Sequence, residues 1–140
     1  MIIAATGSSS NPLFTAVFQP QNPIWLTRHR LTLSQDPNSK DLNTIQGMNQ
    51  KAKGDGLILN WAASYGDSGD PRFAAIWAPN PDKTLWNNDG LLDTASDYQA
   101  RFNAQTSAWR RPAFVTLDSD DRYMSLFVNN EPARSLGRAA

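Results

Sequence analysis

The stretch LILNWAASYGDSGDPRFAAIW, residues 57–77, decides the fold. Two apolar runs flank the polar turn GDSGD, and in the second run Phe73, Ala75 and Trp77 alternate with Ala74 and Ile76. Alternation with period two is the pattern of a strand, because successive side chains leave a β-backbone on opposite sides. Both sides are apolar here, so this strand is expected to be covered on both faces. A run, a Gly/Ser/Asp turn and a second run together read as a β-hairpin.

Working outward, the same form occurs twice more. IIAAT, GSSSN and PLFTAVF precede it; AFVTL, DSDD and RYMSLF follow it. The second strands align as Phe14-Ala16-Phe18, Phe73-Ala75-Trp77 and Tyr123-Ser125-Phe127, with Val17, Ile76 and Leu126 between the aromatics. One supersecondary unit copied along the chain is therefore expected, with Phe14, Phe73 and Tyr123 in equivalent surroundings. The spacings are 59 and 50 residues, so the longer first unit carries an insertion, placed at SQDPNSK around Pro37.

Between hairpins, a Pro/Asn-rich loop delivers a Trp with a Leu six residues on: Trp25 and Leu31, then Trp86 and Leu92. A helix follows each loop. In the first, Ser39 is the expected N-cap, with Leu42, Ile45 and Met48 inward and an end near Gly54. In the second, Thr94 or Ser96 caps a helix that carries Tyr98 and Phe102 four apart on one face. The expected fold class is α+β, with three repeated antiparallel β-hairpins and two intervening helices packed on the sheet. A single domain of internal repeats spans residues 1–140, its successive units at about 1–53, 54–110 and 111–130, with a tail at 131–140.

Composition narrows the function classes. The chain has 140 residues, 40% of them hydrophobic, enough for one ordinary core. Thirteen Lys and Arg balance thirteen Asp and Glu, so no long-range field draws the chain onto a phosphate backbone or an anionic bilayer. No nucleic acid and no membrane partner is expected. The absence of cysteine excludes a disulfide scaffold, a thiolate zinc site and a cysteine nucleophile together. The start, MIIAATGSSS, lacks the basic segment and apolar run of a secretory signal.

Catalytic patterns are sparse. His29, the one histidine, lies between Arg28 and Arg30, whose charges disfavour the imidazolium that a Ser-His relay forms. The second unit has Gly90 at the aligned position, which fits a packing role. None of the four lysines has a serine three residues before it, which excludes Ser-x-x-Lys, and GDSGD is one residue short of Gly-x-Ser-x-Gly. Asp118, Asp120 and Asp121 resemble the opening of a calcium loop, but Tyr123 and Asn129 stand where the glycine and the bidentate acid belong. No catalytic residue, metal or cofactor is expected. A small hydrolase using His29 with a serine and an aspartate from other loops is the remaining catalytic reading, because triads converge in space without sequence order.

The aromatics carry the binding expectation. Trp25 and Trp86 clamp their loops onto the sheet or project as a platform, while Trp61 and Trp109 lack counterparts in the other units. Trp61, beside Tyr65, is therefore the better candidate for recognising a protein or the flat face of a carbohydrate. The candidate binding residues are Trp25, His29, Trp61, Tyr65 and Trp86. Open hairpin arrays also leave edge strands through which a homo-oligomer can form.

Residues 57–77, the Trp and Leu six apart, and the YQARF helix resemble the tandem repeat of bacterial secreted proteins and of the amino-terminal part of fungal polyglycine hydrolases. WLTRHRLT, residues 25–32, is similar to that repeat's Trp-x-x-x-His-x-Leu-Thr segment, with Trp25, His29, Leu31 and Thr32 matching. The resemblance runs from about Ile2 to Val128. It implies a secreted, extracellular accessory region of a β-lactamase-like serine hydrolase, whose nucleophile belongs to another domain, so no catalytic residue carries over. The second unit departs from the pattern, with Gly90 and Asp93 where His29 and Thr32 stand in the first. The expected function is a non-catalytic recognition module that aids substrate or protein binding; the alternative is a self-assembling structural or interaction protein.

Overall fold

The computed structural model describes residues 2–17 and 26–129. Its elements run β1 (Ile2–Gly7), β2 (Pro12–Val17), β3 (Leu26–Thr32), α1 (Ile45–Gly54), β4 (Leu57–Tyr65), β5 (Arg72–Pro79), β6 (Trp86–Asp93), α2 (Ala95–Ser107), β7 (Arg110–Leu117) and β8 (Tyr123–Asn129). The class is α+β, and all three expected hairpins form, as β1–β2, β4–β5 and β7–β8. They do not share one sheet. β1–β2 stands as a two-stranded sheet, while the others gain a strand each, in the orders β3-β5-β4 and β6-β8-β7.

The segments read as Trp-bearing loops are thus strands from Leu26 and from Trp86 onward. The physical reason lies in their partners: β5 and β8 are almost wholly buried, and a buried strand needs both backbone edges paired. β3 and β6 supply the second edge. Trp25, Phe18 and the tail at 131–140 lie outside the described residues.

Two copies of one β-α-β-β module result, β3-α1-β4-β5 and β6-α2-β7-β8. Leu59 pairs with Trp77, Trp61 with Ile76 and Ser64 with Phe73; in the second module Pro112 pairs with Phe127, Phe114 with Leu126 and Leu117 with Tyr123. A register shift follows the first pair in both. Trp61 therefore does have a counterpart, Phe114, hidden from a sequence comparison because the matching residue is a different aromatic. Phe73 and Tyr123 are equivalent, but Phe14 is not: its hairpin has no third strand, and the ring stays 41% exposed.

The outer strands differ by one residue. Arg28 pairs with Ala75 and Leu31 with Phe73, whereas Gly90 pairs with Ser125 and Asp93 with Tyr123. An extra irregularity between Asn87 and Gly90 makes Leu91 the counterpart of His29, and Gly90 that of Arg28. A Cβ on Gly90 would overlap the Ser125 hydroxyl and press on Arg101, so glycine is there to let β8 and α2 approach.

Thr44 and Thr94 cap the two helices, each hydroxyl accepting from the backbone N–H three residues on. Ser39 does not cap; its hydroxyl accepts from the Asp41 N–H in the preceding loop, and Leu42 is left exposed. Ile45 and Met48 are buried, and the helix ends at Gly54, as its pattern indicates. Residues 33–43 are the insertion: Asp93 leads straight into its cap Thr94, whereas this loop separates Thr32 from Thr44.

The core is layered. Phe73, Ala75 and Trp77 on one face of β5 pack with Ile45, Met48 and Ala52 of α1 and with Met124, Leu126 and Val128 of β8. On the opposite face Ala74, Ile76 and Tyr65 pack with Ala5 and Trp61. The first hairpin is fastened at its turn, where Gly66 donates its N–H to Gly7 O at 3.2 Å. Gly66 has φ +87°, and a side chain there would meet Ser9 Oγ at 2.5 Å, so only glycine allows the two turns to touch.

Candidate functional site

The two modules meet where β4 lies against β7 and β8 and where side chains of α1 reach β6. Gln46, Asn49, Gln50 and Lys53 recur at i, i+3, i+4 and i+7, which places them on one side of α1. With Pro37 and with Trp86, Asn87, Asn88, Asp89 and Leu91 of β6 they line a cleft of about 170 Å³.

Its floor is a buried chain of hydrogen bonds. Trp77 Nε1 donates to Asn49 Oδ1 at 2.9 Å, Asn49 Nδ2 to Asn88 Oδ1 at 2.8 Å, and Asn88 Nδ2 to Ser125 O at 2.9 Å. The chain starts in the first module's sheet, crosses α1 and ends in the second module's sheet. Because Asn49 and Asn88 are both buried, each amide lacking a partner would cost the desolvation that water no longer repays. Gln46 is engaged with the insertion, accepting from Ser34 N and donating to Ser34 O.

Trp86 forms one wall. Its indole N–H donates to Leu57 O at 3.2 Å, and Lys53 Nζ sits 4.7 Å from the ring centroid. Burial pushes the Lys53 ammonium below its ordinary value, with the Asp89 carboxylate pulling the other way. Asp89 in turn lies 3.7 Å from Arg101, whose main partner is Asp93, at 2.6 Å through Nε and 3.0 Å through the second nitrogen. The rim thus offers a cation, an anion and the amides of Gln50 and Asn87.

The other sequence candidates lie elsewhere. Tyr65 is buried; its hydroxyl accepts from the Arg30 N–H at 3.1 Å and its ring takes the edge of Phe14 at 5.3 Å. His29 is exposed on β3 and its ring lies 5.6 Å from Phe14. Among the described residues no serine or aspartate is hydrogen-bonded to it. Trp61 is half-buried against Phe114 at 5.1 Å and lines a second groove of about 390 Å³ beside β1 and β7. The structure therefore brings His29 and Tyr65 together through Phe14, sets Trp61 and Trp86 apart, and leaves Trp25 outside the described residues.

The Asp-rich turn is held by its own backbone, by Arg122 and by Ser64 of β4, whose hydroxyl donates to Asp118 Oδ2 at 3.3 Å. Asp118 Oδ1 accepts from the N–H groups of Asp120 and Arg122, and Oδ2 takes Arg122 Nε at 2.8 Å. Among the described residues no group of three metal-ligating side chains converges.

Sequence reasoning missed Asn49 and Asn88. A usable sign was present in α1, where Asn49 interrupts the apolar positions Ile45, Met48 and Ala52; a polar residue beside such a stripe asks for a buried partner.

Residues 41–80 match the family model described as polyglycine hydrolase-like, structural repeat. The match runs from just before the Thr44 cap to just after β5, so the segment similar to that repeat comprises α1, β4 and β5. Comparisons with curated proteins and with solved structures gave no match.

Proposed function

We propose that this chain is a non-catalytic recognition module, secreted and accessory to a serine hydrolase, and that the cleft between α1 and β6 receives part of a protein partner. The observation that carries the reading is the convergence of four side chains of α1 and five residues of β6 on one cleft at a module junction. At about 170 Å³ the cleft is smaller than the several hundred cubic ångströms typical of small-molecule sites, which favours an inserted side chain or loop. Amides with one cation and one anion suit the donors and acceptors of a polypeptide. A sugar would stack on an open aromatic face, but the face of Trp86 is taken by Lys53. The extracellular setting and the hydrolase rest on the resemblance of the repeat to those of secreted proteins.

The reading is tested by selecting peptides from a random library on the immobilised chain and measuring their binding in solution. Gln50→Arg fills the rim and is expected to abolish binding of the selected peptides while the fold persists. Equal binding by the variant and the parent chain overturns the cleft assignment. Hydrolysis of peptide or ester substrates by the pure chain, lost in His29→Ala, overturns the non-catalytic role.

A further inference from the structure

The internal junction shows what covers a module, and the same surfaces recur uncovered at the two ends of the stack. On β4, Ala62 and Ser64 face away from the first hairpin and are 0% and 5% exposed beneath the second module. Their counterparts on β7, placed by the shared pairing, are Val115 and Leu117, which are 37% and 55% exposed and also border the groove that Trp61 and β1 line. On α1, Asn49 is buried against β6; counting from the caps Thr44 and Thr94, its counterpart on α2 is Gln99, which is exposed and bonded within its own helix, to Asn103 at 3.0 Å. Two apolar side chains and a helix side thus lie open where the first module is closed.

The complementary surface is at the other end. β8 meets the first module through Met124, Leu126 and Val128. The first hairpin turns Ala5 and Phe14 toward Tyr65, so its opposite face, bearing Leu13 and Thr15, points away from the stack. Leu13 is 66% exposed.

We propose that the outer side of α2 and β7 in one copy of this chain docks the outer face of β1–β2 in a second copy, head to tail, continuing the stack that the two modules begin. Edge pairing through β3 or β6 is disfavoured, because both are irregular, with Arg30 at φ 57° and Leu92 at φ 56°, which breaks the flat ladder that edge pairing requires. A head-to-tail contact uses two different surfaces, so it does not close on a pair but grows with concentration.

Sedimentation equilibrium of the whole chain tests this. The wild type is expected to rise in mass with concentration above the 15.5 kDa of one chain. Leu13→Asp and Leu117→Asp, each checked for an unchanged circular dichroism spectrum and unfolding midpoint, are expected to remain single chains when alone. Mixed in equal amounts they are expected to form a one-to-one complex, since each retains the surface that the other has lost. Val115→Lys serves in place of Leu117→Asp should the latter fail to fold. A wild type that stays at 15.5 kDa at every concentration overturns the proposal, whatever else then covers α2. So does an associating wild type whose two variants fail to combine, because the contact would then be another one.

Discussion

The indole N–H of Trp77 donates to Asn49 Oδ1 at 2.9 Å, and through that bond a strand of the first module grips the helix side against which the second module is laid. Asn49 passes the connection to Asn88 of β6, so one side chain serves both modules. Asn49→Ala strands the Trp77 N–H and one side of the Asn88 amide in a buried place. A loss of about 2–4 kcal/mol in urea unfolding is expected. Adding Asn88→Ala should cost less than the sum of the two single changes, because the shared bond is removed only once.

Arg101 holds the buried Asp93 carboxylate in a two-pronged pair, with Asp93 only 8% exposed at its side chain. Arg101→Leu leaves that carboxylate without its cation and is expected to destabilise the second module by about 2–4 kcal/mol. Changing Asp93→Asn in the same chain should restore part of the loss, which thermal unfolding of the single and double variants measures.

The caps Thr44 and Thr94 each satisfy a backbone N–H at the start of a helix. Replacing either by alanine is expected to cost about 1 kcal/mol, whereas Ser39→Ala, in the loop before α1, should stay within about 0.5 kcal/mol. Chemical denaturation of the three variants separates the two cases.

Burial raises the phenols of Tyr65 and Tyr98 above the ordinary 10.0; Arg30 and Arg72 oppose the shift at Tyr65, and Tyr123 adds to it at Tyr98. The folded chain therefore favours the neutral phenols. Their contribution to stability is complete below pH about 10, where the unfolded chain begins to ionise, and is lost as pH rises through the higher folded values. Ultraviolet titration should show phenolate absorbance delayed in the native chain relative to the chain in urea. Coincident curves would contradict the burial of both rings.

The hairpins and helices were legible because each carries a local pattern: period-two apolar runs broken by polar turns, and apolar residues three and four apart. The outer strands were not. WNNDGLLD, the sequence of β6, holds residues that strands disfavour, and it becomes a strand only because β8 offers an unpaired edge. The site followed the same division. Trp86 was legible as a repeated aromatic, but Asn49 and Asn88 became a pair only when β6 was brought beside α1. His29 matched a repeat motif in sequence, yet the one-residue irregularity in β6 gives it Leu91 as its counterpart. A sequence alignment cannot see such a shift, since it leaves the spacing of Trp and Leu unchanged.

Nuclear Overhauser spectra of the side-chain amides test most directly that the modules are stacked through α1. Cross-peaks are expected from the Asn49 amide protons to the Trp77 indole proton and to Asn88, and from the Asn88 amide protons to Ser125. Asn49 amide protons that exchange freely with water and show no contact with β6 would contradict that stacking.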